Sequence, residues 1–156
     1  MRLVIVATGH RMPSWVVSGW SEYARRFPRG FALELIEIGA IRRHRNADIE
    51  SIRNRESEAL LAASPQSSLL IALDEKGRQW STSELSGKMT DWMQGGRDVA
   101  FLVGGPDGLS AQLLQQVENR WSLSCLTLPH PLVRIILAEQ LYRAWSMTQN
   151  HPYHRA

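Results

Sequence analysis

Apolar residues along this chain fall into two alternating patterns, short unbroken runs and longer stretches at helical spacing. Leu3, Val4, Ile5, Val6 and Ala7 form a continuous run closed by Thr8 and Gly9, which predicts a strand buried on both faces of a parallel sheet. From Pro13 to Phe27 the residues Trp15, Val16, Gly19, Trp20, Tyr23 and Phe27 recur with a helical period, and Pro28 and Gly30 stop that helix. Phe31 to Ile38 predicts the second strand, with Gly39 closing it. Asn46 can cap a helix that begins near Ala47 and Asp48. Its buried stripe is Ile49, Ile52, Ala59, Leu60 and Ala63, and its wet face carries Arg53, Arg55, Glu56 and Glu58.

Ser68 to Leu73 predicts a third buried strand, and Asp74, Glu75, Lys76 and Gly77 read as its exit turn. Ser81 and Glu84 have the spacing of a capping box and start a helix that carries Leu85, Met89, Trp92 and Met93 before Gly95 and Gly96 end it. Asp98 to Val103 is the fourth strand, followed by a glycine-rich turn and a helix from about Ser110 to Arg120. Trp121 to Leu128 reads as a short apolar strand, Pro129, His130 and Pro131 as a corner, and Pro131 to about Met147 as the last helix. That helix is apolar around too much of its circumference for a single stripe, so it needs cover on more than one side, which a second subunit can supply. Strands alternating with helices predict an α/β fold, a mostly parallel sheet flanked by helices, with ligands near the carboxyl ends of the strands.

Composition narrows the classes. With 156 residues, 44% of them hydrophobic, the chain can build one core, and a single domain over 1–156 is the expectation. A formal charge of +3 permits a polyanionic partner without making the protein a general cation. Cys125 is the sole cysteine, so no intrachain disulfide forms and nothing points to an oxidising compartment. The first apolar run is too short for a signal-peptide core and no stretch is long enough to span a bilayer, which makes a cytoplasmic protein the expectation, with no membrane partner.

Four places carry candidate chemistry. Arg42, Arg43, His44 and Arg45 form a basic loop suited to RNA phosphates, or a merely solubilising turn. Gly104 and Gly105 allow a backbone to approach a ligand closely or form an ordinary turn; no G-x-G-x-x-G fingerprint or P-loop accompanies them. His130 stands at the mouth of the last helix. The tail Asn150, His151, Pro152, Tyr153, His154 and Arg155 concentrates two imidazoles, a phenol and a guanidinium, offering proton transfer, stacking and anion binding together. His151 and His154 have ligand spacing, but without a denser cluster no metal site is expected. Cys125 reads as a small filler on a buried strand. Glu139 is a poor base because Arg143, four residues on, can pair with it.

The run from Trp121 to Arg134, WSLSCLTLPHPLVR, together with the tail, closely resembles the bacterial large-subunit ribosomal RNA methyltransferase H family. Arg2 to Val6, the Met12, Pro13 and Trp15 positions, Arg25 to Pro28, Asn46 to Asp48, and Gly104 to Pro106 resemble it too. The resemblance implies a SPOUT-type α/β fold with a C-terminal trefoil knot. It implies an S-adenosylmethionine-dependent enzyme that methylates N3 of a pseudouridine in 23S rRNA of the assembled ribosome. Cofactor contacts are then expected at Leu73, Gly104, Leu123, Ser124, Cys125, Leu126, Thr127 and Leu128. His154 becomes the expected proton acceptor, with His130 the second candidate; Tyr153 stacks on the base, and Arg134 and Arg155 face anionic RNA or developing negative charge. A homodimer is expected, one subunit's tail completing the other's pocket. The rival readings are a noncatalytic ribosome- or RNA-binding protein of the same fold, and a methyltransferase acting on tRNA.

Overall fold

The computed structural model describes residues 1–155. Its five strands are β1 (Arg2–Thr8), β2 (Ala32–Ile38), β3 (Leu69–Gln79), β4 (Val99–Val103) and β5 (Asn119–Ser122). They form one sheet in the order β2-β1-β4-β3-β5, and every pairing is parallel. The helices are α1 (Ser14–Ala24), α2 (Ile49–Ala63), α3 (Thr82–Gly95), α4 (Ala111–Gln116) and α5 (His130–Thr148), and the tail closes in a 3-10 turn, Pro152–Arg155.

The unbroken apolar runs are central because helices cover both faces of the sheet. Leu3, Ile5 and Ala7 of β1 pack with Leu85 and Met89 of α3 and with Leu137 and Leu141 of α5. Val4 and Val6 face the other way, against Leu60 of α2 and Leu113 of α4. Each such side chain taken out of water contributes roughly 1.5 to 3 kcal/mol, so the alternation along β1 and β4 stabilises both layers at once. α5 lies between α1 and α3, which accounts for much of its broad apolar surface. Gly19 permits the contact with α1: a Cβ there would stand 2.9 Å from the Ile135 Cδ1 atom.

Local signals set several boundaries. The Ser81 side chain accepts from the Glu84 N–H at 3.1 Å, and Glu84 accepts in return from the Ser81 N–H at 2.7 Å, the reciprocal capping box. Gly96 ends α3 at φ +67, a conformation that favours glycine. α2 is capped by Asp48, which accepts from the Ser51 N–H, and not by Asn46.

Further expectations are corrected. Asp74 to Gly77 do not end β3; they form a bulge inside it, since Leu73 and Arg78 both register with Trp121 of β5. Gly77 is needed there because a Cβ would lie 2.6 Å from the Arg120 carbonyl carbon. α4 ends at Gln116, which frees Asn119 to Ser122 to become the edge strand. Beyond Ser122 the expected strand gives way to a loop through Leu128, held by its own hydroxyls: Ser122 donates to the Ser124 carbonyl and the Leu126 N–H donates to Ser124 Oγ, both at 2.9 Å. Cys125 is therefore exposed and not a core filler. Finally, Glu56 does not lie on a wet face but is 2% exposed. Among the described residues no helix is long and apolar enough to cross a membrane.

Candidate active site

The carboxyl ends of β3, β4 and β5 and the start of α5 enclose a cleft of about 1030 Å³. One side is the turn from Gly104 to Leu109; the other is the loop from Leu123 to Pro129, missing only Cys125. Leu73, Val103 and Trp121 lie between them, and the β3 bulge contributes Asp74, Glu75 and Lys76. Trp121 is pinned from behind by a stacked Trp80, with ring centroids 4.8 Å apart.

The glycine turn owes its tightness to backbone contact. The Gly108 N–H donates to the Gly105 carbonyl at 3.0 Å, and a Cβ on Gly104 would come within 2.7 Å of the Gly108 carbonyl carbon. Any larger residue at 104 would force this turn open. The loop opposite is irregular, so it carries backbone N–H and C=O groups that no strand pairing occupies, flanked by Leu123, Leu126 and Leu128. An apolar slot edged by backbone that lies outside the sheet pairing suits a flat heterocycle with polar edges.

Charges around the cleft are sorted. Asp74 is held by Arg120, whose Nε donates to it at 2.9 Å, and Asp107 is held by Arg43. Arg53 and Lys76 line the cleft without an ion pair among the described residues, so they offer free positive charge to an anion. Arg53 has no local sequence signal: helical spacing puts it on the polar face of α2, and only the tertiary arrangement turns that face to the cleft.

His130 lines the cleft half-buried, and its Nδ1 has no hydrogen-bond partner. Burial holds its pKa below the ordinary imidazole value, aided by the positive charges of Arg134 and Arg43 and opposed by Glu56. It is therefore neutral at pH 7 and able to accept a proton. Of the residues expected to touch a cofactor, Leu73, Gly104, Leu123, Ser124, Leu126, Thr127 and Leu128 line this one space.

The remaining candidates lie elsewhere. Arg134 is 1% exposed and points away from the cleft, into a seam between α1 and β2. Its guanidinium donates to Glu37 at 2.5 Å and to the carbonyls of Thr8 and Gly9 at 3.1 and 2.6 Å, so it anchors the first turn of α5 to the ends of β1 and β2. Arg43 is likewise committed to Glu56 and Asp107, whereas Arg42 and Arg45 are exposed. Tyr153 donates to Glu139 at 3.0 Å and packs edge-on against Tyr142, 4.9 Å between centroids. Burial and Glu139 push its phenol up to about 12. Glu139 also pairs with Arg143 at 2.7 Å. His154 is half-buried with an unpartnered Nδ1, and Arg155 is exposed. Among the described residues no group of three or more potential ligands could hold a metal.

A family profile described as "Predicted SPOUT methyltransferase" matches residues 1–154. Among solved structures, the chain resembles a probable methylase family protein from Haemophilus influenzae Rd KW20 with a TM-score of 0.53. The identity is 11%, over 97% of this chain and 68% of that one, a likeness of fold. Methyltransferases of this kind generally use S-adenosylmethionine. With a parallel five-stranded sheet, a glycine-bounded cleft at its carboxyl edge and a match over nearly its whole length, this chain belongs to the SPOUT methyltransferase family.

Proposed function

We propose that the protein methylates N3 of a pseudouridine in 23S rRNA of the large ribosomal subunit, with S-adenosylmethionine as donor and as a homodimer. The observation that carries the donor assignment is the cleft itself, whose backbone approach at Gly104 leaves no room for a side chain and whose opposite loop lines it with backbone outside the sheet pairing between leucine side chains. Leu73, Gly104 and the loop from Leu123 to Leu128 would hold the donor, which when bound supplies an electrophilic methyl group on a sulfonium. The specific nucleotide is supported by the resemblance of the Trp121 to Arg134 run and the tail to the ribosomal family.

The chain's own residues have two tasks, alignment and removal of the imide proton. Alignment at its ideal limit removes roughly 7 to 11 kcal/mol of barrier, whereas a general base adds about a hundredfold to ten-thousandfold, so positioning dominates. His154 is the proposed proton acceptor and His130, neutral in the cleft, the alternative. Tyr153 stays protonated and is not the base; its hydroxyl is held by Glu139 and its ring by Arg26 and Arg143, so it seats the tail. Arg155, Arg53 and Lys76 are the cations left to meet phosphate, with Arg42 and Arg45 on the flanking loop.

A second copy is required for the tail to take part. Tyr153 reaches back only to Glu139, six residues along α5 from Val133, the last helix residue lining the cleft, which at a rise of about 1.5 Å per residue leaves it about 9 Å short along the axis. Among the described residues, none of the tail lines the cleft of its own chain. Trp15 and Val17 on α1, 58% and 54% exposed, supply apolar surface for association.

Calorimetric titration with S-adenosylmethionine, followed by mass spectrometry of rRNA from a strain lacking the protein, tests the assignment. Micromolar binding and loss of one methyl from a pseudouridine are the expected results. RNA binding without donor affinity would instead identify a noncatalytic binder, and a methyl lost from tRNA would identify the other substrate class.

A further inference from the structure

The basic loop before α2 contains one arginine that is not free to meet RNA. The Glu56 carboxylate is 2% exposed, a burial that is strongly unfavourable unless the charge is paired and hydrogen-bonded. Arg43 meets that need with a two-pronged contact, Nη1 to Oε1 at 3.0 Å and Nη2 to Oε2 at 3.1 Å, and the Ile41 N–H adds a third bond at 2.9 Å. The same guanidinium donates through Nη1 to the Ile41 carbonyl at 2.9 Å and through Nε to Asp107. Four hydrogen bonds thus engage the fork, which has five N–H donors in all.

Asp107 stands in the tight Gly105 to Gly108 turn that borders the cleft. Gly105, at the base of that turn, packs so closely on the ion pair that a Cβ there would lie 3.4 Å from Glu56 Oε2 and 3.2 Å from Thr8 Cγ2. The turn is gripped twice by one cluster, at Asp107 through Arg43 and at Gly105 through Glu56.

We propose that Arg43 is a positioning residue for the methyl donor: by tying Asp107 to buried Glu56 it holds the Gly104 to Gly108 turn in the shape that admits the donor. This inference rests on the reading of the cleft as the donor's seat. Lysine cannot replace it, because a single ammonium lacks the planar fork that spans two carboxylates.

The test is calorimetric titration of S-adenosylmethionine into the wild type, Asp107→Ala, Arg43→Lys and the double variant, with thermal melting of each. Asp107→Ala removes the acceptor at the turn and leaves the Arg43–Glu56 pair intact, so it keeps the proposal testable even if Arg43→Lys fails to fold. Each single variant is expected to weaken donor binding at least tenfold, and the double variant no more than the worse single one, because both changes cut the same tie. Steady-state kinetics should show a raised KM for the donor with the KM for RNA unchanged. Donor affinities within twofold of wild type overturn the proposal, as do losses that multiply in the double variant, which would make Asp107 an independent donor contact. A wild type that binds no donor removes the reading of the cleft and the positioning role with it; a wild type that binds, with variants that bind equally, removes the positioning role alone.

Discussion

The Tyr153 hydroxyl donates to Glu139, fourteen residues earlier, at 3.0 Å, and with the ring contact to Tyr142 this bond seats the C-terminal turn on α5. Arg26 and Arg143 lie over the faces of the same ring, 5.5 and 4.9 Å from its centroid. The phenol ordinarily ionises near 10 and is raised to about 12 here. Because the folded state holds this proton more tightly than the unfolded chain, the contribution is complete below pH 10 and is lost as pH rises toward 12. Alkaline titration followed by ultraviolet absorbance should show a late tyrosine ionisation in the wild type that Tyr153→Phe lacks. In urea, the variant should lose about 1 kcal/mol, the size of a half-buried hydrogen bond.

His130 works in the opposite sense. Its pKa is lowered on folding, so below the ordinary value of 6.5 the unfolded chain binds the proton more readily and stability falls as the solution is acidified. Melting curves taken between about pH 7.5 and pH 5.5 should decline more steeply for the wild type than for His130→Gln, which has no proton to gain in that window. Equal slopes would mean that His130 is as well solvated as a surface imidazole.

Arg134 should matter for stability rather than for substrate. Arg134→Met leaves Glu37 and the Thr8 and Gly9 carbonyls without their donor, at a cost of about 3 kcal/mol measured by urea unfolding. Glu37→Gln, which keeps an acceptor on a side chain that is 33% exposed, should cost less than half as much. A near-neutral Arg134→Met would mean that the seam repacks around the shorter apolar chain.

Gly104 and Gly87 make a matched pair. At Gly104 a methyl group would meet the Gly108 backbone, so Gly104→Ala should open the turn and weaken S-adenosylmethionine binding at least tenfold while the fold survives. At Gly87, within α3, nothing lies within 4 Å of the added atom, and Gly87→Ala should stabilise the protein by about 0.5 to 1 kcal/mol with donor affinity unchanged. Both effects can be read from calorimetry and thermal melting of the same two variants.

What could be read from the chain beforehand follows a physical divide. β1 and β4 are legible because burial on both faces makes Leu3 to Ala7 and Val99 to Val103 unbroken apolar runs, and α3 because Ser81 and Glu84 cap it locally. The β3 bulge is not legible: Asp74 to Gly77 have turn chemistry, and only the distant pairing of Arg78 and Gln79 with β5 keeps the strand going. Arg43 and Glu56 look like solvated charges for the same reason. Their partners lie 13 residues apart in one case and 64 in the other, beyond any local pattern. The cleft-lining residues were traceable through the resemblance of the Trp121 to Arg134 run, whereas Arg53, Asp74 and Lys76 emerge only when the elements are assembled.

α5 holds His130 at its first turn and the seat of Tyr153, at Glu139 and Tyr142, two to three turns further on. Such a helix acts as a ruler. Inserting one residue between those points would swing the tail's seat around the axis by about 100°, and only an added length close to whole turns would restore its bearing. Spacing along this segment is therefore constrained as well as identity: an insertion or deletion that is not close to whole turns cannot be absorbed.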